Sequence, residues 1–283
     1  VSGSVATRLR VSGTDNGVHG GREITGRTRL FAVIGDPVTQ VMAPELMNRL
    51  FAERGVDAVL VPISATAGDL EIVVDGLKHM GNLDGFLVTV PHKLALGRQA
   101  DRLTGAAKMA GSVNAMRREP DGAWLGDNFD GQGFVRGLLS AGHGIAGKRF
   151  TLVGAGGAGV SIAAAILGAG ASALSIVDVE RSRAEALVVR LGAHWRALAR
   201  ASDSPDPASD VVVNATPLGL RETDPLPFAI GGLKPDVVIA DIIMKPPQTR
   251  LLRESARRGM RTHPGLPMLA EQIPLYREFF RIP

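Results

Sequence analysis

The sequence predicts an α/β fold built on two doubly wound parallel sheets, and three observations predict it. Short β-branched runs alternate with longer stretches of helical spacing. A Gly-rich turn falls directly between one such run and a helical pattern. The length, 283 residues, suits two domains at about 100–200 residues each.

Taken in order, LFAVIG (30–35), DAVLVPI (57–63) and GFLVTV (85–90) read as strands apolar on both faces, as a parallel sheet covered by helices requires. Helices are expected between them over 44–54, opened by Pro44, and over 68–80, where Leu70, Val73, Val74 and Leu77 share one face. A further helix is expected over 93–109, then short strands at 113–117 and 123–125 before the Gly/Asp/Asn-rich GDNFDGQG. The second series places a helix at 134–141, a strand at 149–153, a helix at 157–167, a strand at 173–177 and a helix at 181–191. Strands at 210–213 and 237–240, a helix at 247–258 and an amphipathic stretch at 268–280 complete it. Right-handed crossovers make two parallel sheets the natural outcome.

Composition narrows the function. Hydrophobic residues at 45% and charged residues at 21% exclude disorder for most of the chain. Aromatics at 4% leave few rings for single-stranded nucleic acid, and the net charge of +4 comes from scattered Lys and Arg, so no nucleic-acid partner is expected. With no cysteine there is no disulfide framework, thiolate metal site or cysteine nucleophile, and no metal is expected. The uncharged stretch 150–177 is long enough to span a bilayer, but its six glycines mark a buried strand, turn, helix, turn and strand, so no membrane partner is expected. Residues 1–28, rich in Gly, Ser and Thr, carry no apolar signal core and read as a flexible arm; a cytoplasmic location is the expectation.

Three motifs carry chemistry. Gly154-Ala155-Gly156-Gly157-Ala158-Gly159 is a G-x-G-x-x-G after a strand and opening a helix. The first glycine permits the tight turn, the second lets backbone approach a pyrophosphate, the third lets helix and strand pack, and the helix N-terminus offers free N–H donors. Asp178 stands where a carboxylate accepts from a ribose 2′-hydroxyl and repels a 2′-phosphate, which predicts NAD preferred over NADP; Arg181 and Arg183, close behind, argue the other way. Lys93 follows a buried strand at the Pro-marked turn of VTVPHK (88–93), where α/β sheets gather ligands, although a Lys there is more often a solvated cap. Asp127 and Asp130 lie in a Gly-flanked loop that read alone is equally a turn or a metal loop; it lacks the length and closing Glu of an EF-hand.

In order along the chain stand GDPV (35–38) with Pro44, VTVPHK, GSVNA (111–115), GDNFDGQGF (126–134), GAGGAG (154–159), NATPLGL (214–220), DIIMKPPQT (241–249) and GLPMLAEQ (265–272). This ordered set resembles the shikimate/quinate dehydrogenase family over nearly the whole chain after its first residues. The resemblance implies an N-terminal α/β substrate domain plus a C-terminal Rossmann dinucleotide-binding domain. The division expected is an arm over 1–29, a substrate-binding and catalytic domain over 30–130 with a C-terminal helix in 261–283 packing back, and a Rossmann NAD-binding domain over 131–260. The family's catalytic Lys and Asp fall on Lys93 and Asp130, its substrate-binding Asn and Gln on Asn114 and Gln272. Thr89, Val41, Ala43 and Met244 fall at its other substrate positions, and Gly154, Gly156, Gly157, Ala158, Asp178, Asn214, Thr216, Gly219 and Gly265 at its cofactor positions. A Lys ammonium can stabilise an alkoxide and relay its proton while a hydride moves on carbon, with the Asp holding the Lys.

The departures from the family pattern are specific. The two carboxylate-binding hydroxyls of its S-x-S segment are Val41 and Ala43 here, the Asn before V-T is Leu87, and the Thr after the GSVN Asn is Ala115. The Thr before the catalytic Asp is Phe129, the Tyr of D-x-x-Y-x-P is Met244, and Asp178-Val179-Glu180 replaces the N-R-T run of NADP-dependent members. A lost hydrogen bond to a charged group is worth roughly 1.5–3 kcal/mol, so the usual contacts to a ring acid are weakened. The expected activity is NAD-dependent hydride transfer to or from a secondary alcohol or ketone on a shikimate- or quinate-like ring, the partner a small polyhydroxylated ring acid, the chain a monomer or homodimer. The alternatives are the same chemistry on a less polar substrate, or a non-catalytic NAD-binding regulatory protein.

Overall fold

The computed structural model describes residues 24–283, which fold around two six-stranded sheets. The arm expected over 1–29 lies mostly outside these residues. Its final part, 24–28, is a turn in which the Thr28 hydroxyl accepts from the Thr25 N–H and donates to Asp57, and Arg29 already opens a strand.

β1 (Arg29–Gly35), α1 (Ala43–Glu53), β2 (Ala58–Ser64), α2 (Leu70–His79) and β3 (Leu83–Val88) form the expected β-α-β-α-β unit, with β1 between β2 and β3 and both pairs parallel. The 93–109 stretch departs from expectation. It divides into α3 (Lys93–Leu96), the two-residue edge strand β4 (Arg102–Leu103) and α4 (Gly105–Ala110). The Thr104 side chain caps α4 by accepting from the Ala107 N–H, and the Asp101 carboxylate accepts from the Trp124 N–H, so local polar contacts win over helix continuation. β5 (Ala115–Arg118) and β6 (Trp124–Asp127) are an antiparallel hairpin, and β5 also pairs antiparallel with β3. The first sheet, β2-β1-β3-β5-β6-β4, is therefore mixed, against the expected all-parallel one.

α5 (Asp130–Ser140) leads into the second sheet and begins four residues before its expected start, at Asp130 itself. There β7 (Arg149–Val153), α6 (Gly157–Gly168), β8 (Ala173–Val177), α7 (Arg181–Gly192), β9 (Ala199–Ala201), β10 (Val211–Asn214), β11 (Val238–Asp241), α8 (Arg250–Arg257) and β12 (Arg261–His263) alternate. All pairs in the order β12-β11-β10-β7-β8-β9 are parallel, so this sheet is doubly wound around β7 and β10 as expected. The uncharged stretch 150–177 is β7, α6 and β8, and among the described residues no helix is long and apolar enough to cross a membrane.

α9 (Leu266–Phe279) closes the chain and returns to the first sheet. Leu269, Leu275, Tyr276, Phe279 and Phe280 join Phe31, Met47, Phe51 and Phe129 in one core. Five ring contacts of 5.1–5.5 Å link Tyr276, Phe129, Phe279, Phe280, Phe31 and Phe51, so much of the scarce aromatic content stands behind one end of the first sheet. α5 packs against α9 on one side and α6 on the other. Glycines allow both approaches: a Cβ at Gly131 would strike the Ser161 carbonyl of α6, and one at Gly133 would come within 2.5 Å of Gln272 in α9.

Candidate active site

Lys93 begins α3, just past the turn after β3, and that turn is pinned from below. The buried His92 ring bonds the Ala65 carbonyl through Nε2 at 2.7 Å, and the Lys93 carbonyl accepts from Val113. Asp130 begins α5, where its N–H donates to Asn128 Oδ1 at 3.0 Å and fixes the helix start. The two side chains meet: Lys93 Nζ donates to Asp130 Oδ2 at 2.5 Å, with the Lys side chain 13% exposed and the Asp 3%. A short charge-assisted bond with so little water around it holds the ammonium and carboxylate in one geometry.

Asn114 fills the next place. Its Oδ1 accepts from the Phe129 N–H at 2.9 Å, so its Nδ2 faces Asp130 Oδ1 at 3.0 Å and Gln272 Oε1 at 3.0 Å. Four residues quoted from four separate motifs thus converge, drawn from α3, the 111–115 segment, α5 and α9. A fifth was not read from the sequence. Tyr276, the chain's single tyrosine, lies one helical turn after Gln272; its hydroxyl donates to Gln272 Oε1 and stands 3.1 Å from Asn114 Nδ2. Its signal was the i,i+4 spacing to Gln272 on one face of a helix.

The other expected substrate positions lie around this cluster with apolar side chains. Ala43 and Phe129 are buried in the same core, and Val41 and Met244 pack against it half-buried. Thr89 serves the turn itself: its N–H donates to the Ile34 carbonyl and its carbonyl accepts from His92.

On the second sheet the Gly-rich turn fits a dinucleotide. Gly154 has φ +104°, and a Cβ there would stand 2.8 Å from the Ala215 carbonyl carbon. At Gly156 nothing lies within 4 Å of where a Cβ would be, so the backbone is open to a pyrophosphate, while a Cβ at Gly159 would strike the Gly154 carbonyl. Gly157 and Ala158 open α6, whose first N–H groups have no intrahelical acceptor. A Cβ at Gly157 would stand 3.1 Å from Lys93 Cβ, so the catalytic candidate and the Gly-rich turn are neighbours.

Asn214 and Thr216 shape the facing loop from within it. Asn214 Nδ2 donates to Leu218 O and Asp241 Oδ1 at 3.1 Å each, and its Oδ1 accepts from the Thr216 hydroxyl at 2.7 Å. Gly219 closes that loop at φ +116°. Burial raises the Asp241 carboxyl above the usual carboxylate range against the bonds it accepts from Ile243, Thr249 and Asn214. Gly265 sits against the backbone of Ile242 and Ile243, bringing α9 to the same loop.

A family model for the shikimate dehydrogenase substrate binding domain matches residues 33–116. A shikimate dehydrogenase (NADP(+)) of Rubrobacter xylanophilus is 39% identical over 258 residues, covering 88% of this chain and 89% of that one. Among solved structures, shikimate 5-dehydrogenase from Listeria monocytogenes in complex with shikimate and NAD is 30% identical, with TM-score 0.78, over 92% of this chain and 98% of that one. The 5-ketofructose reductase of Gluconobacter sp. strain CHM43 is also 30% identical, with TM-score 0.78, over 90% and 94%.

The relative's name corrects the expected NAD preference, because it specifies NADP(+). The geometry supplies a physical reason. Asp178 was expected to be free to accept from a ribose hydroxyl, yet its Oδ2 accepts from the Ala155 N–H at 2.7 Å and its Oδ1 from the Glu180 N–H at 2.9 Å. The carboxylate closes the Gly-rich turn instead. Glu180, the other acid of the Asp178-Val179-Glu180 run, is paired with Arg183 at 2.8 Å.

Proposed function

The chain belongs to the shikimate dehydrogenase family and is an oxidoreductase of that type, and on that premise we propose an NADP-linked interconversion of a secondary alcohol and a ketone on a shikimate- or quinate-like ring, with Lys93 and Asp130 as its catalytic pair. One observation carries this reading: the nearly dry Lys93–Asp130 ion pair at 2.5 Å, packed beside Gly157 of the Gly-rich turn. Gly154, Gly156, Gly157 and Ala158 would hold the pyrophosphate, and Arg181 and Arg183, at the start of α7, would exchange their ion pairs with Glu185, Asp203 and Glu180 for the extra phosphate. The nicotinamide, when bound, supplies the hydride acceptor or donor. In the reducing direction Lys93 gives a proton to the ketone oxygen as it gains alkoxide character, and solvent restores that proton. Asp130 keeps the ammonium oriented, and Asn114 keeps Asp130 oriented.

The test is initial-rate reduction of NADP, and separately NAD, with shikimate and with quinate, beside Lys93→Ala. The expected result is turnover that is faster with NADP and falls by about 10²–10⁴-fold in the variant, the usual contribution of a positioned acid or base. Undiminished turnover in Lys93→Ala would remove the pair from the mechanism.

A second reading is favoured by one further observation. Val41, Ala43, Phe129 and Met244, at positions where the resemblance places hydroxyls, all contribute to one apolar cluster beside the site. That wall suits a less polar substrate, and one similar structure is named for 5-ketofructose, a ketone without a carboxylate. A panel pairing ring acids with uncharged keto sugars separates the two: a higher kcat/KM for the uncharged ketones would establish the second reading.

A further inference from the structure

Gln272 is held by its oxygen. Two donors converge on Oε1, the Tyr276 hydroxyl and Asn114 Nδ2 at 3.0 Å. Asn114 cannot turn over to relieve this, because the Phe129 N–H holds its Oδ1 at 2.9 Å. A Gln272 amide rotated by half a turn would set its NH2 against the Asn114 NH2, two donors facing each other. Gln272 Nε2 lies instead 3.0 Å from where a Cβ on Gly133 would be, and it makes none of the side-chain hydrogen bonds found for Gln272 among the described residues.

We propose that Tyr276 is a positioning residue that saturates Gln272 Oε1 and so presents the Gln272 NH2 as a fixed donor, making the substrate group recognised there an oxygen acceptor. The identity of that substrate rests on the shikimate-type reading; the amide polarity does not. The phenol is suited to the task. Burial, with the Asp130 charge nearby, holds its pKa well above the usual tyrosine value, so it stays a donor. Its ring has a separate function, meeting Phe129 edge-on at 5.5 Å, so the hydroxyl can be removed with the packing kept. The resemblance assigns the site's Gln, and Tyr276 lies outside the motif that carries it.

The polarity is tested on the unsubstituted protein by nuclear magnetic resonance. A through-space contact from the Gln272 side-chain NH2 to the Gly133 α-protons is expected; a contact from that NH2 to the Tyr276 ring edge in its place overturns the proposal. The contribution is tested with Tyr276→Phe. Loss of one neutral hydrogen bond should raise KM for shikimate roughly 3- to 10-fold, with a smaller change in kcat and an unchanged melting temperature. An unchanged KM, or a fall in kcat and melting temperature together, would show that the hydroxyl only supports the fold. Should the unsubstituted protein turn over neither shikimate nor quinate, the substrate reading fails, and the resonance contact alone decides the polarity.

Discussion

His263 is a buried imidazole with no hydrogen bond at Nε2, facing the His143 ring edge-on at 5.6 Å. Burial, helped by the neighbouring His143, lowers its pKa from 6.5 to about 4. The sign follows from proton counting. Above pH 6.5 the ring is neutral in both folded and unfolded chains, and its full contribution to stability is present. Between 6.5 and about 4 the unfolded chain binds a proton that the folded chain refuses, so stability falls, by about 3 kcal/mol in all. His263→Phe, which keeps a ring beside Phe134, should flatten the dependence of unfolding free energy on pH across that window, measured by urea denaturation from pH 7.5 to 4.5. A slope equal to the parent's would show that other groups control acid sensitivity. Single residues were also where reading the sequence was least secure. Lys93, Asp130, Asn114 and Gln272 were legible and do meet, because each sits in a motif with an unusual run of residue types. Asp178 was misread, because its position suggested a free carboxylate while its backbone partners, Ala155 and Glu180, exist only once the turn has folded.

α5 does more than connect the sheets, and its glycines show how. Gly131 and Gly133 read in sequence as loop punctuation, which is why the helix was expected to begin at residue 134, while Gly137 falls inside that expected helix. In the fold they are the faces at which α6 and α9 come nearest, and starting the helix at Asp130 places the carboxylate at an N-terminus beside Lys93. Gly131→Ala should therefore destabilise by about 3 kcal/mol or more, since the added methyl meets the Ser161 carbonyl, a backbone atom that cannot rotate away. Gly144→Ala, with nothing within 4 Å, is the comparison and should change stability by less than about 0.5 kcal/mol. Equal melting curves for the two variants would sink the close-packing account. Similar logic explains which elements escaped notice. β4, β9 and β12 are edge strands of two or three residues, too short to carry a period, and exist because a neighbouring strand offers its free edge. The longer strands β1, β3, β7, β8 and β10 were legible because burial on both faces makes them predominantly apolar, whereas β2, at a sheet edge with only Ala58 and Leu60 buried, was legible from its own apolar run.

At the scale of the molecule, the two sheets are coupled by helices that serve both. α5 gives Phe134 and Leu138 to the core of the second sheet while its glycines seat α9, and α9 gives Met268 to that core and Leu275, Tyr276 and Phe279 to the core of the first. Polar ties cross the same junction: Ser112 Oγ donates to the Gly157 carbonyl at 3.0 Å, the Gly131 N–H to Ser161 Oγ at 2.9 Å, and Arg190 to the Ala110 carbonyl at 3.0 Å. Neither sheet can lose its structure without exposing apolar surface on a helix that the other needs. At about 25 cal/mol per Å² of apolar surface, even a few hundred Å² exposed costs several kcal/mol, comparable to the whole stability of a domain. Unfolding should therefore be one cooperative event. The chain carries its own reporters, since Trp124 lies in the first sheet and Trp195 packs beside the core of the second. In Trp124→Phe and Trp195→Phe variants, each with one remaining tryptophan, fluorescence changes in urea should share one midpoint and one slope after correction for the stability cost of each substitution. Two separated transitions would mean that the cores fold independently, and that the junction carrying Lys93 and Asp130 is a contact between finished domains and no part of a shared core.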